Sequence, residues 1–181
     1  MCTNGALANM KDRNIGSSIL IYSHDHPEKY GVIEYDGKGN IVGIEEKPSK
    51  AKSMSIITGM YFFDEEVVSY AKDLKPSSRG ELEITDLLKI YLKNQRLHYE
   101  LLDPFNMNEI SWFDTGNAED LLEAAKEIQR YDFEKGIKFG VYEIAAFEKG
   151  YINKSSLEKI AEQFIDSNYG KFIKNYLKNS K

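Results

Sequence analysis

The sequence predicts an α/β body followed by a helical appendage, and three observations carry that expectation. Residues 30–45 hold two runs that alternate apolar and polar side chains around the turn Asp36-Gly37-Lys38-Gly39-Asn40, a hairpin signal. Residues 56–63 are apolar, β-branched and aromatic, the pattern of a strand buried on both faces. From residue 137 onward strand patterns vanish and three short helical patterns replace them.

The elements follow in order. Residues 1–16 are small, polar and patternless, and read as a loose lead-in. Ile19-Leu20-Ile21-Tyr22 is a short apolar strand, followed by a turn at His24-Asp25-His26-Pro27. Pro48 stops the second strand of the hairpin. Asp64 reads as the N-cap of a helix through residue 72, with Glu65 and Glu66 in its first turn. Residues 83–94 place Ile84, Leu87, Leu88, Tyr91 and Leu92 at helical spacing. Residues 97–102 and 109–114 read as strands. Asn117 caps a long helix to about residue 131, with an apolar face of Leu121, Leu122, Ala125 and Ile128. In the appendage, helices are expected over 143–148, 155–165 and 171–177, with Ser155-Ser156-Leu157-Glu158 in the form of a capping box. The expected division is a lead-in over 1–17, an α/β body over 18–136 and a helical extension over 137–181.

Composition removes several classes of function. The chain has 181 residues, a net charge of −5 and a hydrophobic fraction of 41%, enough for a real core and no basic surplus for a nucleic-acid backbone. Cys2 is the one cysteine, so neither an internal disulfide nor a thiolate zinc cluster can form. No apolar run approaches the roughly 18 residues of a membrane span, and no leader pattern opens the sequence. A cytoplasmic protein is expected.

Three segments carry candidate chemistry. Glu45-Glu46-Lys47-Pro48, taken alone, reads first as a strand ending in solvated charges. The alternative is a carboxylate for sugar hydroxyls beside an ammonium for phosphate. On a regular strand Glu46 and Lys47 point to opposite faces, so they serve one ligand only if the chain turns there. Arg79-Gly80-Glu81-Leu82-Glu83-Ile84-Thr85-Asp86 is a helix start whose acidic residues suit the dipole. Arg79 does not fit that explanation, and an arginine ahead of helix N–H groups suits a phosphate. Trp112-Phe113-Asp114-Thr115-Gly116 puts an aspartate after an apolar run. Asp114 either binds magnesium or begins the turn into the next helix. His24 and His26 lack a third ligand of suitable type nearby, so zinc is not expected. Neither a G-x-S-x-G elbow nor a GK[ST] loop is present.

Together, Tyr30-Gly31-Val32, Glu45-Glu46-Lys47-Pro48, Thr58-Gly59-Met60-Tyr61-Phe62-Phe63-Asp64, Arg79 to Asp86 and Trp112 to Gly116 resemble the glucose-1-phosphate thymidylyltransferases, in order and spacing, from about Ser18 onward. The resemblance implies a Rossmann-like mixed sheet flanked by helices, here incomplete, with a C-terminal helical extension. It implies synthesis of dTDP-glucose and pyrophosphate from dTTP and glucose 1-phosphate, on the way to rhamnose and other deoxysugars, with Mg2+ as cofactor. Gly31, Glu46 and Tyr61 would line the sugar pocket. Lys47 and Arg79 would hold the sugar phosphate and assist catalysis, Asp114 would bind magnesium, and Trp112 would pack beside it. The family's glycine-rich triphosphate loop and second magnesium aspartate are not found in this sequence. The expectation is therefore a part of the enzyme, inactive alone, that needs an N-terminal half in trans or forms a homo-oligomer. The alternative is a non-catalytic sugar-phosphate binding or assembly module. Nucleic acid and membrane are not expected partners.

Overall fold

The computed structural model describes residues 6–13, 15–102, 112–136 and 138–179. The chain divides into two compact units, Met1–Trp112 and Phe113–Lys181. The first holds a five-stranded mixed sheet in the order β3-β2-β4-β1-β5. Its strands are β1 (Ser17–Ser23), β2 (Gly31–Tyr35), β3 (Ile41–Glu46), β4 (Ser55–Phe63) and β5 (Leu97–Leu102). β1 runs parallel to β5, whereas the β1–β4, β4–β2 and β2–β3 pairs are antiparallel.

β1 is buried on both faces because helices cover both. Ile19 and Ile21 join Ile33, Ile44, Ile57 and Leu88 of α3 (Ile84–Lys93) in the larger core. Leu20, on the opposite face, packs with Ala6 and Met10 of α1 (Ala6–Asp12) and with Leu102. The expected loose lead-in is thus partly a helix. Its polar pattern hides two apolar residues four apart, and the sheet gives them a surface to bury against.

The hairpin forms as expected, with Ile33 opposite Ile44 and Gly31 opposite Glu46. Asp36 organises the turn. Its Oδ1 accepts from the Lys38 and Asn40 N–H groups, both at 2.8 Å.

β4 differs from expectation. Only Ile56 and Ile57 are buried along it, while Met60 is 42% exposed. The register explains this. Ile19 faces Tyr61 and Ile21 faces Ile57, so Thr58, Gly59 and Met60 together oppose Leu20. This bulge lifts them from the ladder, and Gly59 takes a φ of +81° that a side chain would resist. Thr58 Oγ1 donates to the Leu20 carbonyl at 3.0 Å, replacing a lost ladder bond.

Asp64 is not the N-cap of α2 (Val67–Asp73); Glu66 occupies that position without a side-chain cap. Stronger donors claim Asp64. The Gly16 N–H (2.7 Å) and Arg96 Nη2 (2.6 Å) donate to Oδ2, and the Tyr91 hydroxyl (2.8 Å) donates to Oδ1. Burial alone would raise this carboxyl's pKa; those donors and the Arg96 charge outweigh it and hold it below its ordinary value.

The second unit is helical. Asn117 caps α4 (Ala118–Lys135) as expected, accepting from the Asp120 N–H at 2.9 Å. The expected apolar face does not bury. Leu121, Leu122, Ala125 and Ile128 are exposed, and Ala124 and Tyr131, seven residues apart, are the buried stripe. α5 (Tyr142–Glu148), α6 (Lys154–Gln163) and α7 (Asn168–Asn179) close on Ile144, Leu157, Ala161, Ile173 and Leu177. α6 starts one residue before the expected capping box. Asn153 is its cap, accepting from the Ser156 N–H at 2.9 Å. The division into units falls at 112/113, ahead of 136, because among the described residues the last strand is β5. The strand expected over 109–114 lies outside the described residues up to 111, and 112–114 are not strand. No helix among the described residues is long and apolar enough to cross a membrane.

Candidate functional site

In the first unit the sheet, the strand end after β3 and the start of α3 meet around Gly31. A Cβ there would lie 2.9 Å from Thr85 Cγ2, 3.3 Å from Glu46 Oε2 and 3.4 Å from Ile57 Cδ1. Glycine is therefore what lets β2 pass this close to α3. Glu46 ends β3 directly opposite Gly31. Tyr61, half-buried on β4, stacks on Phe63 at 5.8 Å. Burial, and then the Glu46 charge, raise the Tyr61 pKa. The Glu46 charge thus acts on the Tyr61 phenol.

Lys47 resolves the difficulty of side-chain alternation. Its φ is +43°, so the chain leaves the strand there, and the rule placing Glu46 and Lys47 on opposite faces lapses after Glu46. The Lys47 N–H donates to the Tyr30 carbonyl at 3.0 Å, which fixes the turn to the residue before Gly31.

Arg79 reaches the same place from the loop ahead of α3. Its guanidinium lies 4.0 Å from Glu46 Oε1, 3.7 Å from Glu83 Oε1 and 2.9 Å from Glu81 Oε2. Three carboxylates face one guanidinium. Glu81 accepts a hydrogen bond from Nη2, while Glu46 and Glu83 are ion-pair neighbours beyond hydrogen-bond distance.

Trp112 donates its Nε1–H to the Thr58 carbonyl at 3.2 Å. Its ring meets Tyr30 edge-on at 5.2 Å and His24 at 5.9 Å. It is anchored to the β4 bulge and to the residue preceding Gly31. His24 Nδ1 accepts from the His26 N–H at 2.9 Å, so this histidine serves the turn and the aromatic cluster.

Asp114 belongs to the second unit, where its Oδ1 accepts from the Gly116 N–H at 3.1 Å. That is the turn-forming role weighed for it above. Its hard carboxylate suits magnesium chemically, and among the described residues no group of three or more His, Cys, Asp or Glu side chains is placed to hold a metal ion. The structure therefore brings Gly31, Glu46 and Arg79 together, with Lys47 adjoining along the chain and Tyr61 within electrostatic reach of Glu46.

Sequence reasoning passed over three neighbours. Thr85, 1% exposed, packs on Gly31, and its Oγ1 has no hydrogen-bond partner among the described residues. In the sequence Glu83 is one of the acidic residues that suit the helix dipole, and Ser77 lies outside the three segments that carry candidate chemistry. Their signal was proximity to Arg79 in sequence, which alone does not distinguish support from ornament.

Residues 4–131 match the family model for nucleotidyl transferases. The chain belongs to that family. The chain is 40% identical over 161 residues to the glucose-1-phosphate thymidylyltransferase of Xanthomonas campestris pv. campestris strain B100, covering 89% of this chain and 53% of that protein. It is 36% identical over 163 residues to the protein of the same name from Neisseria meningitidis serogroup A, covering 90% and 55%. A crystal structure of a Bacillus anthracis protein described as a glucose-1-phosphate thymidylyltransferase, in complex with sucrose, aligns with a TM-score of 0.58 at 36% identity, over 74% of this chain and 49% of that one. A UDP-glucose pyrophosphorylase complexed with UDP-glucose aligns at 0.53 and 23% identity, over 68% and 47%, a likeness of fold. The chain spans about half the length of the curated relatives it matches. Its mixed sheet and flanking helices are the Rossmann-like α/β arrangement expected.

Proposed function

We propose that the chain carries the hexose 1-phosphate side of a glucose-1-phosphate thymidylyltransferase site. In that reaction a phosphate oxygen of glucose 1-phosphate attacks the α-phosphorus of dTTP. The bond to the β-phosphate breaks, and dTDP-glucose and pyrophosphate form, supplying deoxysugar synthesis such as that of rhamnose. The observation that carries the reading is the meeting of Glu46 and Arg79, from separate elements, at the Gly31 contact point.

Such a transfer needs positioning and charge neutralisation more than covalent help. Glu46 accepts hydrogen bonds from sugar hydroxyls, and the closeness of β2 to α3 at Gly31 shapes the pocket floor. Tyr61, its phenol kept protonated, donates to the sugar. Lys47 and Arg79 hold the sugar phosphate and offset its repulsion from the triphosphate. Trp112 steadies the Tyr30–Gly31 segment. Asp114 would hold Mg2+, whose chemistry is to screen triphosphate oxygens and the charge that builds on departing pyrophosphate. The working enzyme is read as a cytoplasmic homo-oligomer.

Calorimetry of the purified chain with glucose 1-phosphate tests the site. Saturable binding is expected, weakened about tenfold or more by Arg79→Gln and by Glu46→Ala. Absence of binding by the wild-type chain would sink the reading. With dTTP and Mg2+ added, the 181-residue chain alone is expected to make no dTDP-glucose, and a separately expressed N-terminal half of a relative is expected to restore turnover.

A further inference from the structure

We propose that Ser77 and Glu83 are positioning residues for Arg79, an inference that rests on the hexose 1-phosphate reading above. A long arginine side chain that must meet a phosphate gains from being held in one pose before the ligand arrives. Two features show what holds it. The Ser77 hydroxyl accepts from the Arg79 backbone N–H at 3.1 Å and donates to Glu83 Oε1 at 2.9 Å. The same Glu83 oxygen lies 3.7 Å from Arg79 Nη1. Both ends of Arg79 therefore refer to one hydroxyl–carboxylate pair. Two backbone bonds close the loop around them, Ser77 N–H to the Glu81 carbonyl at 2.8 Å and Gly80 N–H to the Ser77 carbonyl at 2.9 Å.

Glu83 sits at the N-cap position of α3, where an acidic side chain ordinarily accepts from the first turn. It makes no such bond. Its carboxylate turns to Ser77 and Arg79 instead, and helix capping does not account for it. Burial then separates Glu83 from Glu81. The Glu83 side chain is 10% exposed and the Glu81 side chain 61%. The exposed Glu81 contact is readily exchanged for a phosphate oxygen. Glu83, held by Ser77 out of water, stays and keeps the guanidinium aimed.

The test compares glucose 1-phosphate with glucose by calorimetry on the full chain, in wild type, Ser77→Ala, Ser77→Thr, Glu83→Gln, Arg79→Gln and the double variants with Arg79→Gln, each checked for an unchanged melting temperature. Ser77→Ala and Glu83→Gln are each expected to weaken glucose 1-phosphate about three- to tenfold while leaving glucose unchanged. Ser77→Thr, which keeps the hydroxyl, should bind as wild type. Neither Ser77→Ala nor Glu83→Gln should weaken binding further once Arg79 is glutamine; a purely structural role would lower both ligands and persist in that background. Tighter binding by Glu83→Gln would mean that Glu83 competes for Arg79, and overturns the proposal. So does wild-type discrimination by Ser77→Ala. A wild type that does not distinguish the two sugars overturns the reading of the site, and this inference with it.

Discussion

Gly31 and Thr85 touch so closely that a methyl group on Gly31 would lie 2.9 Å from Thr85 Cγ2. Thr85 is 1% exposed and its β-branched side chain is stiff, so the contact cannot relax by rotation. Gly31→Ala is expected to cost about 1–3 kcal/mol in urea unfolding, the usual range for overpacking. Thr85→Ser removes the clashing methyl and should recover most of that loss in the double variant. Additive losses in the double variant would show that the conflict lies elsewhere.

Lys47 holds a left-handed backbone at φ +43°, where a side chain is disfavoured. Lys47→Gly should therefore leave stability equal or raise it by up to about 1 kcal/mol. The same change deletes the ammonium and is expected to weaken glucose 1-phosphate binding about tenfold. Stability and binding moving in opposite directions would mark strain retained for function. A clear loss of stability would argue that the lysine side chain packs structurally.

What the sequence made legible was mostly local. The hairpin, β5, α3 and the Asn117 cap follow from alternation, helical spacing and turn chemistry within short windows. What it concealed depends on distant partners. α1 is a helix because β1 and β5 give Ala6 and Met10 somewhere to go. The β4 bulge is visible only once Leu20 lies across from three residues. Asp64 looks like a cap until Gly16, Tyr91 and Arg96 reach it. In the candidate site, the types of Glu46 and Arg79 singled them out and the structure places them 4.0 Å apart, but the turn at Lys47 and the inward orientation of Glu83 are conformations that residue identity does not encode.

Asp64 gives the fold an acid-sensitive tie. Burial works against its charge, but the Gly16 N–H, the Tyr91 hydroxyl and Arg96 together lower its pKa below the usual 3.8. A carboxylate depressed in the folded state contributes stability that is fully present above its unfolded value and is lost as pH falls through its folded value. Asp64→Asn should therefore cost about 1.5–3 kcal/mol near pH 7, the range for hydrogen bonds to a charged group. The gap to wild type should narrow below about pH 3.8. Denaturant titrations at pH 7 and pH 3 check this, and a gap that widens in acid contradicts it.

Asn153, rather than Ser155, starts α6. Its side-chain oxygen accepts from the Ser156 N–H at 2.9 Å, and Leu157 N–H donates to its carbonyl at 3.1 Å. Ser155 already lies inside the helix, where a hydroxyl cannot satisfy the free N–H groups of the first turn. Asn153→Ala is expected to lower stability by about 1 kcal/mol, with Ser155→Ala changing it by a few tenths. Because α6 carries Leu157 and Ala161 into the core of the second unit, the Asn153 loss should appear as faster amide exchange across 154–163. Exchange that quickens equally for both substitutions would mean that the helix start is shared between the two residues.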